Sequence, residues 1–392
     1  MSVLNDFLRY GCRHYAPHNV VVVRGQGVRV WDEADKEYID AASGYSSNNF
    51  GHCHPRIMRI HAEMGIVPNS YVNLHLAKFV REVCERFGYE KALPMNTGVD
   101  VVEAAMKLLR KYAYTKRGIP RDRAEILFCT GNFHGRTIAA ISASSEPQYR
   151  DLFGPHTPGF RLIPFGDANA LDRAINDYTV GVFVEPIQGE GGVIIPPAGY
   201  MSAVARVCKN RGIIFVADEI QTGLGRTGAW LASWLEGAQP DVVLLAKSLG
   251  GGLVPASVLL TSKEIMVFEP GDHGSTYGGN AFAMCVARES LRIIDEEELC
   301  LRSHTMGARL LRNLQSIKSP LIRQVRGQGL MIGIELNSTV VSPSQMLDRL
   351  LAAGVLCKDA HGVLRITPPL IILPHEVDEL SERIEKAIRF AA

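Results

Sequence analysis

Five stretches of the chain are continuously apolar instead of alternating: "AEILFCT" (124–130), "VGVFVEP" (180–186), "GIIFVADE" (212–219), "DVVLLAKS" (241–248) and "PASVLLTS" (255–262). Strands of this kind belong to a parallel sheet covered on both faces. Between the second and third, "AGYMSAVARVCKNRG" (198–212) has helical spacing and a glycine stop. Repeated strand–helix alternation of this type predicts a doubly wound α/β domain.

The ends of the chain follow another pattern. "NVVVVRGQGVRVWD" turns at Gly25–Gly27 and predicts a small hairpin within residues 18–40. After about residue 285 helices dominate. A strand pair, "GLMIGIEL" (329–336) and "HGVLRITPP" (361–369), precedes a last helix, "HEVDELSERIEKAIRF" (375–390). The division expected is an N-terminal segment, 1–44, joining a small C-terminal domain, 285–392, with a large domain, 45–284, between them.

Composition narrows the function classes. The chain has 392 residues, 46% of them hydrophobic, and a formal net charge of +1. A near-neutral balance gives no electrostatic footprint for nucleic acid. No apolar run approaches the roughly 20 residues needed to span a bilayer. The N-terminus lacks the apolar core of a signal peptide, so the expected location is the cytoplasm. None of the eight cysteines forms C-x-x-C. "GHCHP" (His52, Cys53, His54) lacks further ligands on its loop, so no metal is assigned.

Candidate chemistry gathers at the ends of the apolar strands. Lys247 closes one of them, and lysine is seldom buried without a partner or a task. A desolvated lysine has the lowered pKa of a Schiff-base nucleophile, although a strand-end lysine can also simply reach solvent. Asp218 closes the neighbouring candidate strand, and sites in such sheets form at the carboxyl ends of strands. An acid and a Schiff-base lysine together are the pairing used with pyridoxal 5′-phosphate. Thr97-Gly98-Val99 opens a helix whose N-terminus could hold a phosphate, or is an ordinary capped helix. Phe133 and Arg136 in "GNFHGRT" offer a stacking ring and a fork for a carboxylate. "HGSTYGGN" (273–280) is a further glycine-rich loop able to approach a phosphate. Gly223, Gly225 and Gly228 spell G-x-G-x-x-G, but Asp218 and Glu219 precede them and no convincing helix follows, which excludes a dinucleotide cradle.

Taken in order, "LPMNTGV", "GNFHGRT", "VEPIQGE", "ADEIQTGL", "HGSTYGGN" and "DAHGVLRITPPL" resemble class III (ω-) aminotransferases of fold type I, from about Tyr15 to the last helix. The resemblance implies a large domain with a mainly parallel seven-stranded sheet plus a small α/β domain. It implies a pyridoxal phosphate site in which Lys247 carries the cofactor and Asp218 pairs with the pyridinium nitrogen. Gln221 would bond the 3-oxygen, Phe133 stack on the ring, and Thr97, Gly98 and Val99 hold the phosphate, with His134 and Glu185 beside them. Thr276 would reach the phosphate of the partner subunit in a homodimer with its active sites at the interface. Arg136 and Tyr15 would hold the ornithine carboxylate, Tyr45 favour ornithine, and Arg365 bind the oxoacid after release from Glu190. The implied reaction moves the δ-amino group of L-ornithine to 2-oxoglutarate, giving glutamate and glutamate semialdehyde, which cyclises to pyrroline-5-carboxylate. The alternatives are acetylornithine, lysine or 4-aminobutyrate as donor, or a racemase or epimerase on the same fold.

Overall fold

A computed structural model describes residues 3–12, 14, 17–68 and 70–389. Its centre is a seven-stranded sheet. The strands, in chain order, are β1 (Lys91–Met95), β2 (Glu125–Cys129), β3 (Phe160–Ile163), β4 (Thr179–Val184), β5 (Ile214–Asp218), β6 (Val242–Leu245) and β7 (Ser257–Thr261). They lie in the order β1-β7-β6-β5-β4-β2-β3. Alternate residues of β5 feed opposite cores: Phe215 and Ala217 join one cluster, Ile214 and Val216 the other. Every residue of β4, β5, β6 and β7 is buried, which accounts for their continuous apolar runs.

One strand departs from the expected parallel arrangement. β7 runs antiparallel to both β6 and β1. Only residues 246–256 link β6 to β7, opening with a short 3₁₀ turn, Lys247–Gly250. A parallel neighbour needs a crossover of about a dozen residues or more, usually a helix, which this link does not contain. The edge strands β1 and β3 were not foreshadowed by apolar runs, because each is partly exposed.

Helix Gly98–Thr115 covers one face of the sheet through Val101, Val102, Ala105, Leu108 and Leu109. The other face is covered by helices Leu74–Phe87, Tyr200–Arg211 and Ala281–Glu296. Helix Tyr200–Arg211 stops at Gly212, which has φ +63°, as the glycine stop predicts.

Two four-stranded sheets complete the molecule. Val22–Gln26, Arg29–Asp32 and Glu37–Asp40 form an antiparallel meander, and Val355–Leu356 adds to it in parallel, joining the two ends of the chain. Met331–Leu336 pairs antiparallel with Val363–Ile366, placing Gly333 opposite Arg365. The last helix is Pro374–Arg389. Among the described residues no helix is long and apolar enough to cross a membrane.

Candidate active site

A cavity of about 200 Å³ opens at the carboxyl ends of β4, β5 and β6. Lys247, Asp218, Gln221, Glu185, Glu190, Phe133, His134, Gly98 and Val99 all line it. Residues far apart in sequence converge here because parallel strands deliver their last residues to one edge.

Lys247 follows β6 after Ala246 and has φ +49°, a left-handed backbone that a non-glycine residue adopts at a cost of about 1–3 kcal/mol. Burial lowers its ammonium pKa, against the pull of Glu190, Asp218 and Glu185. Asp218 is 4% exposed. Its Oδ2 lies 2.6 Å from His134 Nδ1, and its Oδ1 accepts the Ile220 N–H at 3.1 Å. Burial works against a charged His134, but the hydrogen bond and charge of Asp218 prevail and raise its pKa. Burial pushes Glu185 up to about 8, and its Oε1 accepts the Phe133 N–H at 2.9 Å.

The adjacent acid faces away, because successive strand residues point to opposite faces. Glu219 accepts the Thr222 hydroxyl at 2.5 Å and the N–H groups of Ala232 and Ser233 at 3.0 and 2.8 Å. It is a fully satisfied internal brace. The glycine-rich stretch after it forms turns and opens no helix.

Helix Gly98–Thr115 begins at the cavity. Asp100 accepts the Thr97 N–H at 2.8 Å, and the Gly98 and Val99 N–H groups lie in the first turn, where helix geometry supplies no partner. Thr97 is exposed at the mouth. Gly135, at φ +127°, lets the 131–137 loop press onto this helix: a Cβ there would meet Val99 Cγ2 at 2.5 Å.

The residues expected to bind substrate fall in two places, Arg365 with Glu190 and Tyr45, and Arg136 with Phe133 and Tyr149. Arg365 is 5% exposed and ion-paired with Glu190. Its guanidinium carbon lies 5.3 Å from the centre of the Tyr45 ring. Tyr45 sits on a short turn, Ser43–Ser46, in which all four residues have positive φ. Asp40 holds this turn by accepting the Ala42 and Ser43 N–H groups at 2.9 and 2.8 Å. Gln221 Nε2 donates to the Tyr45 carbonyl at 3.4 Å. Arg136 lies 5.4 Å from the Phe133 ring and 3.6 Å from that of Tyr149. Thr276 is exposed on the 273–280 loop and does not line the cavity of its own chain. Tyr15 lies outside the described residues.

Sequence reasoning missed several residues. Gly135, Ile187, Ile220 and Thr222 line the cavity, but an apolar or small residue in a strand-end motif looks like core or turn. Tyr149 belongs to no motif and could be found only by its contact with Arg136. The two histidines of "GHCHP" diverge: His52 meets Asp40 at 2.8 Å and His54 meets Glu297 at 3.2 Å.

The class III aminotransferase family matches residues 10–388. The chain belongs to the class III aminotransferases. It is 43% identical to an ornithine aminotransferase from an Exiguobacterium species, over the full length of both chains. A solved ornithine aminotransferase from Toxoplasma gondii superposes with a TM-score of 0.97 at 39% identity, covering 99% of this chain and 94% of that one. An acetylornithine aminotransferase from Elizabethkingia anophelis follows at 34% identity and a TM-score of 0.89, covering 99% and 98%. The fold is that of fold type I transferases, and the family's cofactor is pyridoxal phosphate. The site fits this group: a largely buried lysine amine and a buried carboxylate line one cavity, and a helix N-terminus opens onto it. An aminotransferase takes its amino group from one small molecule and delivers it to an oxoacid.

Proposed function

We propose that the protein transfers the δ-amino group of L-ornithine to 2-oxoglutarate, working as a cytoplasmic homodimer. The observation that carries this reading is the ion pair between Glu190, which lines the cavity, and Arg365, while Arg136 stands apart from that pair against Tyr149. One carboxylate clamp is open and the other is neutralised. That suits a ligand with a single carboxylate and a distal amine, as ornithine has. Release of Arg365 from Glu190 provides the second clamp that 2-oxoglutarate requires. The names of the relatives point to the same donor.

Each residue then has a task. Lys247, Asp218, Gln221 and Phe133 would hold the cofactor, with the phosphate at Gly98, Val99 and Thr97. Pyridoxal phosphate, when bound, supplies an electron-withdrawing ring that weakens the C–H bond beside the substrate amine. Asp218, held by His134, would be the carboxylate that pairs with the ring nitrogen. Lys247 Nζ takes the proton from the amine-bearing carbon and returns it on the other side of the exchange, a task that its lowered pKa favours. Arg136 orients the α-carboxylate so that the δ-carbon faces Lys247.

Residues 45–284 serve in this reading as the cofactor-binding part, with 285–392 and 1–44 as the smaller part. An exposed apolar patch supports the dimer. Tyr71, Val72 and Tyr277 are 69%, 75% and 60% exposed, and Asn73 binds the 273–280 loop by donating to the Gly279 carbonyl at 2.9 Å. Apolar surface of this kind marks an interface, and Thr276 lies within the same loop.

The test is glutamate formation from 2-oxoglutarate with ornithine, acetylornithine, lysine and 4-aminobutyrate. Ornithine is expected to give the highest kcat/KM. Absence of turnover with ornithine would refute the proposal.

A further inference from the structure

Arg136 sits on the loop whose Phe133, His134 and Gly135 line the cavity, and a long flexible cation on a loop needs something to aim it. The Tyr149 ring lies against it, with the guanidinium carbon 3.6 Å from the ring centre. The same ring meets Phe133 edge-on, at 5.8 Å between centres and 83° between planes. A ring over the flat face of a guanidinium leaves its in-plane N–H donors open, and those donors are the ones that bind a carboxylate.

The segment that carries both residues is closed upon itself. Gly131 N–H donates to Ser145 Oγ at 2.7 Å, and Asn132 Nδ2 donates to the Ala143 carbonyl at 2.8 Å. Arg150, next to Tyr149, donates to the Ser144 carbonyl at 3.1 Å. Tyr149 is therefore held at a set distance from Arg136 by the backbone between them. It also senses the substrate end of the pocket: burial raises its phenol pKa, with Arg136, Glu190 and Arg365 all acting on it.

We propose that Tyr149 is a positioning residue that presents the Arg136 fork edge-on to the substrate carboxylate and prevents it from swinging toward Glu190. The proposal rests on the reading of Arg136 as the carboxylate clamp. Tyr149 touches no reacting atom. Its effect is on binding of a carboxylate, through Arg136.

The test compares ornithine with 1,4-diaminobutane, the same chain without the carboxylate, used as a competitive inhibitor of the holoenzyme. Tyr149→Leu is expected to raise the KM for ornithine about tenfold, with kcat within about twofold and the Ki of the diamine unchanged. Tyr149→Phe keeps the ring face and should restore the KM to within about twofold of the parent. Tyr149→Met, a flexible chain without a ring, gives an independent version of the Leu result. An unmoved ornithine KM in both ringless variants, or a diamine Ki that rises with it, overturns the proposal. Arg136→Gln separates the two levels. If it leaves the ratio of ornithine KM to diamine Ki unmoved, the clamp fails and the proposal with it. If it moves that ratio while Tyr149→Leu does not, the positioning role alone is overturned.

Discussion

Burial in the Lys247 pocket carries the Glu185 carboxyl up to about 8, so the folded chain keeps a proton that the unfolded chain loses in the ordinary glutamate range. Between these two limits the folded state binds more protons, and stability falls as pH rises. Lys247 acts in the opposite sense at higher pH. Its lowered pKa means that the unfolded chain binds more protons, and stability rises toward the ordinary lysine range. Glu185→Gln keeps an oxygen to accept the Phe133 N–H and removes the ionisation. The thermal midpoint of the cofactor-free variant is expected to fall less between about pH 5 and 8 than that of the parent. A parallel decline in both proteins would show that Glu185 does not set this slope. Lys247 and Asp218, which line the cavity, could be read in the sequence because a charged residue at the end of an apolar strand stands out chemically. Tyr149 could not, because its significance lies in a contact that the chain makes only when folded.

Loops after strands determine how the site closes. The segment after β4 turns back on itself through the Gln188–Ile194 bridge and brings Gly189 against Gln221. A Cβ on Gly189 would stand 1.4 Å from Gln221 Oε1, so the amide would have to move. Gly189→Ala is expected to weaken pyridoxal phosphate binding about tenfold or more, since overpacking of this kind costs about 1–3 kcal/mol. Titration of the apoprotein with the cofactor, followed by absorbance, reads this directly, and an unchanged affinity would show that Gln221 can move at no cost. The buried strands were legible because burial on both faces demands unbroken apolar runs. β1 and β3 sit at the sheet edges with fewer apolar positions, and their runs are correspondingly weak. The direction of β7 was hidden for another reason: an apolar run has no polarity, and only the short link to β6 shows which way it must run.

At the scale of the molecule, Arg226 ties three distant segments together. It is fully buried, and burial lowers its pKa to about 9. It donates to the carbonyls of Leu330 and Pro368 at 2.8 and 2.7 Å, to Ser43 Oγ at 3.2 Å and to Asn49 Oδ1. Arg226→Met removes the donor and leaves these acceptors without it. Each such group costs about 1–3 kcal/mol, partly offset by relief of a desolvated cation, and a net loss of about 3 kcal/mol is expected in urea denaturation. A loss under about 1 kcal/mol would mean that water or neighbouring groups replace the guanidinium. Arg226 lies inside the Gly223–Gly228 glycine pattern, which gives no sign of its burial; that becomes visible only once both ends of the chain fold over it.

Arg365 belongs to the strand Val363–Ile366 of the C-terminal sheet, whereas Glu190 belongs to the loop that follows β4 of the central one. The contact assigned to substrate choice therefore also couples two separate sheets. Under the proposed function a diamine leaves that coupling engaged and a diacid releases it. In that reading the charge of the ligand is a mechanical signal, and the Glu190–Arg365 contact is a clutch that disengages and re-engages once in every catalytic cycle.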